Sequence, residues 1–415
     1  MDSFTEDHRE ALALCRALSE AGYPAMLAGG CVRDLLLGRT PKDFDIACAA
    51  PPETTMVLCK ARGFRVVPVG IEHGTVCVVT PRQTIEVTTL REDVVCHGRH
   101  AEVAFTTDFA KDATRRDFTI NALYQDADGT IHDFVAGRPD LAAKRLRFVG
   151  EAQDRIHEDY LRILRYFRFL ARFGWQAEPD QLQAVTASVT GLRQLSFERI
   201  HKEMDELLKA PRAAAVLRLM NQSKVLVTLM PELHESKLDN AINHFEHCRP
   251  LSVDAAWFLL LALGGMPLAA KALPERLQEL RFTRAQMKTI KTASRITHHH
   301  GNPAVVAEGV FQLLKTTAMK PDEMIRIVRG VPLLWHPDSH EWVIALINGF
   351  VAKEEPKIPK QRLLALPAPS RGTAVLATKI HWYLGRLNDK NQIERFFQQE
   401  QPPQPPAAWS DLSSP

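Results

Sequence analysis

Residues Ala28–Ala47 read AGGCVRDLLLGRTPKDFDIA. Gly29 and Gly30 follow a short apolar strand, Ala25–Leu27, and open a helical run. Glycines at such a turn let backbone N–H groups approach a phosphate without Cβ interference, and a helix N-terminus favours the anion. Arg33 adds a cation within the first turn. After Pro41 and Lys42, the alternation Asp43-Phe44-Asp45-Ile46 predicts a strand over Asp43–Ala47 with Phe44 and Ile46 facing a core. Side chains two apart on a strand share a face at about 6.6 Å, so the carboxylates of Asp43 and Asp45 converge. Two hard anionic ligands on one face suit Mg²⁺, which keeps several waters and is completed by substrate phosphates.

Around this segment lie further β-type stretches, Thr75–Val79, Ile85–Thr89 and Ile131–Phe134, with helical stretches and Gly or Pro punctuation between them. Glu86, in the apolar-acid-apolar strand TIEVT, offers a third carboxylate. It either completes the metal site or orients an arginine. After Arg147 the alternation gives way to helical periods as far as about Arg395. The fold class is therefore an α/β head followed by an elongated all-α neck, body and tail. The expected divisions are a head over 1–145, a neck over 146–225, a body over 226–352, a tail over 353–400 and a disordered Pro-rich terminus over 401–415. The apolar run 255–270 is too short for a bilayer and carries Gly264, Gly265 and Pro267, so it reads as a buried helix and its turn.

Two further motifs carry charge. In Arg115–Leu123, helical spacing predicts Asp117 and Asn121 one turn apart, with Arg116 free to reach a triphosphate. In Glu158–Leu170, Ile163, Leu164, Phe167 and Leu170 form an apolar stripe, while Asp159, Arg162, Arg165 and Arg168 follow an i, i+3 line. Such a row binds phosphates or makes a solvated face, and the Asp159–Arg162 pair also supplies an acceptor and a donor for a base edge.

Composition narrows the class less. With Lys plus Arg at 52 against 49 for Asp plus Glu, the net charge of +3 does not by itself announce a nucleic-acid binder. The seven cysteines form no CxxC pair, which points to a reducing cytoplasm without disulfides or zinc, and the acidic N-terminus lacks secretory or transit character. His244, His247 and Cys248 have ligand-like types but read as structural, and His298-His299-His300 lacks the aspartates of a phosphohydrolase site.

Taken together and in this order, these elements resemble the class II tRNA nucleotidyltransferase and bacterial poly(A) polymerase family, a branch of the polymerase-β nucleotidyltransferase superfamily. The likeness is carried by AGGCVRDLLLGRTPKDFDIA, RRDFTINALY, DFVAG at Asp133–Gly137, and EDYLRILRYFRF. It implies a polymerase-β-like sheet in the head, Asp43 and Asp45 as catalytic Mg²⁺ ligands, and Gly29, Gly30, Arg33 and Arg116 at the nucleotide phosphates. By the same resemblance, Asp159 and Arg162 read the Watson–Crick edge of CTP or ATP without a nucleic-acid template, and Arg165 and Arg168 add nucleotide contacts.

Within the family, Gly70-Ile71-Glu72-His73-Gly74-Thr75 is similar to the stretch of CCA-adding members, and the polar segment Arg91–Asp112 resembles their flexible loop. The implied activity is template-independent addition of C, C and A to the tRNA 3′ end, with poly(A) addition or a specialised CC- or A-adding enzyme as alternatives. The implied partner is the tRNA acceptor arm, for which Lys357, Lys360, Arg362 and Arg371 are candidate phosphate contacts or else a solvated basic linker. A cytoplasmic protein with no membrane contact is expected, and the oligomeric state is left open.

Overall fold

The computed structural model describes residues 5–97, 100–266, 273–298, 302–316, 319–331, 340–384, 386–398 and 404–406. The chain divides into two compact units, Met1–Leu195 and Ser196–Pro415.

The first unit begins with α1 (Glu6–Glu20), capped by the Thr5 side chain accepting from His8 N, and continues through β1 (Ala25–Ala28), α2 (Gly30–Leu36), β2 (Asp45–Cys48), α3 (Pro52–Ala61), β3 (Arg65–Val67), β4 (Thr75–Val79) and β5 (Thr84–Thr89). A hairpin, β6 (Arg91–His97) and β7 (His100–Phe105), precedes α4 (Phe109–Thr114), β8 (Leu123–Gln125) and β9 (Ile131–Asp133). Four helices follow: α5 (Gly137–Ala142), α6 (Ala152–Glu158), α7 (Leu161–Phe173) and α8 (Pro179–Ala187). The main sheet has the order β3-β4-β5-β2-β1-β8-β9. Its β2–β5 pairing is parallel and its other pairings are antiparallel.

The expected burial alternation at the acidic strand is present: Phe44 and Ile46 are buried, Asp43 and Asp45 exposed. The strand itself starts at Asp45, and Asp43 sits in the bend before it. Two expectations are corrected. Arg91–Asp112 is not an unpatterned loop: β6 and β7 pair from Arg91↔Phe105 to His97↔His100, and Asp108 caps α4. Backbone pairing satisfies the N–H and C=O groups whatever the side-chain pattern. Arg115–Leu123 is not a helix: it makes one 3₁₀ turn, Thr119–Asn121, and then enters β8. Thr119 N donates to Arg147 O and Val149 N to Asp117 O, so distant backbone takes the groups a helix would pair internally.

The apolar stripe of α7 is buried at Ile163, Leu164, Phe167 and Leu170, and Tyr166 and Phe169 join it. Tyr166 and Phe169 meet Phe118 and Phe148 in an aromatic cluster with centroids 4.9–6.3 Å apart, which docks α7 against the sheet domain. At the turn into α5, a Cβ on Gly137 would lie 2.2 Å from Thr119 O, so the DFVAG connector requires glycine there.

The described part of the second unit is helical. It comprises α9 (Phe197–Lys209), α10 (Ala213–Gln222), α11 (Val225–Leu229), α12 (Glu235–Cys248), α13 (Val253–Leu263), α14 (Leu273–Glu279), α15 (Arg284–His298), α16 (Pro303–Thr316), α17 (Pro321–Gly330), α18 (His340–Ala352), α19 (Lys360–Ala365), α20 (Ala368–Tyr383) and α21 (Lys390–Phe396). The apolar run forms α13 and is buried from Ala255 to Leu261, as expected of a helix apolar on all sides. Trp257 stacks on His201 at 5.0 Å and donates to Asp205 Oδ1 at 2.7 Å. Pro267, His299, His300 and all of 401–415 except 404–406 lie outside the described residues.

Candidate active site

The site is built where β1, β2 and β5 lie side by side. Asp45 stands opposite Glu86 in the parallel register of β2 and β5. Although Asp45 keeps part of its surface in solvent, the protein packed around its carboxyl pushes it up to about 6, the charges of Glu86 and Asp43 add to the rise, and Arg116 opposes it. Neighbouring carboxylates are a place where a cation relieves repulsion, and an all-oxygen donor set matches Mg²⁺. Among the described residues, no group of three or more His, Cys, Asp or Glu side chains converges on one ion position. The oxygen donors of Asp43 and Asp45 fit an ion that keeps water and substrate phosphate as its other ligands.

Gly29 caps α2 at φ 77°, and its N–H donates to Leu123 O at 2.9 Å. A Cβ there would lie 2.9 Å from Arg116 Nη1, so the glycine turn and this arginine are in contact. Gly30 opens α2, and a Cβ on it would lie 3.5 Å from Arg33 Nη2. Arg116 donates from Nε and Nη2 to Asp112 Oδ2 at 3.2 and 3.0 Å, and from Nη1 to Asn121 O at 3.3 Å. It also lies over the Tyr124 ring, whose hydroxyl donates to Asp112 Oδ2 at 2.8 Å. Burial favours the neutral guanidine, but Tyr124 and Asp112 outweigh it and hold the Arg116 pKa above its ordinary value. Burial likewise acts to raise Asp112, and Arg116 and Arg115 bring it below the ordinary range. Arg116 is thus a permanently charged, clamped donor rather than a free arm. Asp112 and Tyr124 escaped the sequence reading; the available signal was an acid four residues before Arg116.

Arg33 is buried against α7. It donates to Asp34 Oδ1 at 2.9 Å and to Asn121 Oδ1, and it lies over the rings of Phe169 and Phe173 at 5.3 and 5.1 Å. Asp34 also accepts from Arg172 Nη2 at 2.7 Å. Asn121 Nδ2 donates to Asp117 Oδ1 at 3.1 Å, keeping the expected Asp117–Asn121 contact without the helix. Asp117 Oδ2 accepts from Arg165 Nε and Nη2 at 2.7 and 2.6 Å. Burial acts to raise Asp117, but Arg165 and Asn121 hold its carboxyl below the usual range. This network joins α2, the Arg115–Asn121 segment and α7.

At the start of α7, Asp159 Oδ1 accepts from Leu161 N at 3.1 Å. Arg162 donates to Glu158 Oε2 at 2.6 Å, to Arg155 O at 2.7 Å and to Arg115 O at 3.2 Å. Arg168 lies 4.4 Å from the Phe169 ring centroid. The first unit therefore brings Gly29, Gly30, Arg33, Asp45, Glu86 and Arg116 together and ties the Asp159–Arg168 row to them through Arg115 O and Asp117.

In the second unit, Arg362 pairs with Glu394 at 3.7 Å, and Arg371 donates to Leu366 O and Leu364 O at 3.1 and 3.0 Å. His244 Nδ1 bonds Gly330 O at 2.7 Å, and the Cys248 thiol reaches Arg326 O at 3.6 Å, contacts that pack α12 on α17. Cys15, Cys31, Cys48, Cys59, Cys77 and Cys248 are free thiols.

The model of the Poly A polymerase head domain matches residues 25–147, and that of the probable RNA and SrmB-binding site of polymerase A matches residues 174–237. The CCA tRNA nucleotidyltransferase 1, mitochondrial, of Danio rerio is 40% identical over 255 residues, covering 60% of this chain and 59% of that protein. The protein of the same name from Homo sapiens is 46% identical over 200 residues, 47% of this chain and 46% of its own. The crystal structure of the Bacillus stearothermophilus CCA-adding enzyme in complex with CTP superimposes with a TM-score of 0.73 at 27% identity, covering 95% of this chain and 98% of that one. The chain thus spans about half the length of the curated relatives it matches. The fold and the acidic site define a poly(A) polymerase-type head joined to a helical region. The two domain matches, together with these relatives and this structure, support the class II CCA-adding enzyme and poly(A) polymerase family. Among the described residues no helix is long and apolar enough to cross a membrane.

Proposed function

We propose that this chain is a CCA-adding tRNA nucleotidyltransferase, transferring C, C and A from CTP and ATP to the tRNA 3′ end with release of pyrophosphate. The observation that carries it is the pairing of Asp45 with Glu86 on adjacent strands, tied through Arg116, Asn121 and Asp117 to the acid-arginine row of α7. The names of the relatives, CCA tRNA nucleotidyltransferase and CCA-adding enzyme, support the same reaction.

Asp43 and Asp45 would hold Mg²⁺, with Glu86 beside them. Bound there, Mg²⁺ would supply charge neutralisation at the triphosphate and ease ionisation of the attacking hydroxyl. Arg116, locked by Asp112 and Tyr124 with its charge assured, presents guanidinium donors beside the glycine turn where the phosphates lie. The rigid clamp leaves little reorganisation for the step in which the tRNA 3′-oxygen bonds the α-phosphorus and the bond to pyrophosphate breaks. Arg33 braces the glycine turn against Phe169 and Phe173, and Arg165 and Arg168 extend the positive row toward the nucleotide. Asp159 and Arg162 supply one acceptor and one donor for the cytosine or adenine edge, Arg162 exchanging its Glu158 contact for the base. The basic tail residues Lys357, Lys360, Arg362 and Arg371 bind tRNA phosphates. A cytoplasmic location fits the free thiols, although the vertebrate relatives carry mitochondrial names.

Poly(A) addition is the second reading, favoured by the description of the matching head-domain model. Labelled CTP and ATP, supplied separately and together to tRNA transcripts lacking CCA, lacking the last A, or complete, decide between the two. Addition of two C residues and one A followed by a stop supports CCA addition. Extension of unstructured RNA by ATP alone overturns it.

A further inference from the structure

Tyr160 stands between Asp159 and the first residue of α7, and its ring lies flat on the backbone of Gly191 in the 3₁₀ turn Val189–Gln194. A Cβ built on Gly191 would fall 2.0 Å from Tyr160 Cε1, 2.1 Å from Cδ1 and 2.4 Å from Cζ. The backbone of Gly191 is not in the left-handed region, so what the position requires is the missing Cβ and not conformational freedom. Three atoms of a rigid ring are involved, and relief by a flexible side-chain end is not available. Ordinary contact lies near 3.5 Å, so any side chain here displaces the ring by more than about 1 Å.

The turn is a firm seat. Val189 and Leu192 are buried, Gly191 N donates to Ser188 O at 3.0 Å, and Gln153 of α6 donates to Ser188 Oγ at 3.2 Å. The His157 ring meets Tyr160 edge-on at 6.0 Å. Asp159 accepts from Leu161 N, so the carboxylate and the first turn of α7 are set by the short backbone span whose midpoint is Tyr160.

We propose that Gly191 is a specificity-determining positioning residue: by seating Tyr160 it fixes Asp159 and the first turn of α7, and through them the choice between cytosine and adenine. This rests on the base-reading role proposed above for Asp159 and Arg162. Cytosine and adenine differ in the order of donors and acceptors on their pairing edges, and hydrogen bonds weaken steeply with misalignment. A shift of the acceptor therefore changes the two affinities unequally.

Calorimetric titration of CTP and of ATP into the RNA-free protein tests this, with thermal midpoints measured alongside for wild type, Gly191→Ala, Tyr160→Ala and the double variant. Gly191→Ala is expected to change the ratio of CTP to ATP affinity on the order of five- to tenfold, and Tyr160→Ala to change it as well. The double variant regains the thermal midpoint lost in Gly191→Ala, because space has been made, yet keeps an altered ratio. Should Gly191→Ala fail to fold, the ratio in Tyr160→Ala decides. Loss of both affinities in proportion, with the ratio of a discriminating wild type unchanged, overturns this inference alone. Wild-type protein that binds neither nucleotide overturns the base-reading assignment and this inference with it.

Discussion

Asp45 and Glu86 stand opposite each other across the parallel pairing of β2 and β5, with Asp43 in the bend just before. That register decides which acid in the head joins the acidic motif. Asp45→Asn is expected to abolish nucleotide transfer with the fold retained. Glu86→Gln is expected to lower it about 10- to 100-fold and raise the Mg²⁺ concentration needed for half-activity, the size of effect seen for groups that support metal ligands. Turnover against Mg²⁺ concentration, with circular dichroism for the fold, checks both. Normal turnover in folded Asp45→Asn would remove the strand from the chemistry.

Asp112, 1% exposed, holds Arg115 and Arg116 together. Asp112→Ala leaves two guanidiniums facing each other and is expected to destabilise the protein by about 2–4 kcal/mol, below a fully buried pair because both arginines reach solvent. Urea unfolding measures this. The KM for nucleotide should rise as Arg116 loses its clamp, and an unchanged KM would deny the arginine its phosphate role.

Arg162 engages Glu158 and two carbonyls, so its removal costs contacts as well as a base-edge donor. Arg162→Ala should degrade CTP/ATP discrimination along with rate. Single-nucleotide incorporation assays report both. A rate loss with discrimination intact would move Arg162 from base reading to phosphate binding.

Gly137 admits no Cβ because Thr119 O lies where one would be. Gly137→Ala is expected to cost about 1–3 kcal/mol and to disturb the turn carrying Asn121, which differential scanning calorimetry and nucleotide affinity would register together. A midpoint within error of wild type would show that the connector yields.

His8 is buried, bonds Gln125 Oε1 at 2.8 Å and stacks on Phe44 between the two aspartates. Burial lowers its pKa below the ordinary 6.5, against the smaller upward effect of Gln125. The unfolded chain then binds this proton more readily than the folded one, so the contribution to stability is present above pH 6.5 and declines as pH falls below it. Thermal midpoints from pH 8 to 5 should drop more steeply for wild type than for His8→Gln, and parallel curves would discount the histidine.

What could be read from the chain alone followed from short-range periodicity. The Asp43–Ile46 alternation, the burial of Ile163, Leu164, Phe167 and Leu170, and the change from strands to helices each depend on side-chain spacing along one element. Spacing was silent wherever a partner lies far along the chain. β6 and β7 pair because each satisfies the other's backbone, a register that side-chain spacing along one segment does not record. Arg115–Asn121 carries helical spacing, yet Arg147 O and the backbone about Val149 take its hydrogen bonds.

The site divides in the same way. By itself the sequence determined the residue types that can bind phosphate and metal, and the order in which they come: the double glycine, the two aspartates, the arginines after Asp112 and the row on α7. Tertiary structure alone decided that Glu86 comes to rest beside Asp45, that Asp112 and Tyr124 lock Arg116, that Arg33 is buried against Phe169 and Phe173, and that Gly191 carries Tyr160. Most of those relationships join residues tens of positions apart, and strand register, ring packing and the geometry of charge pairs exist only once the chain has folded.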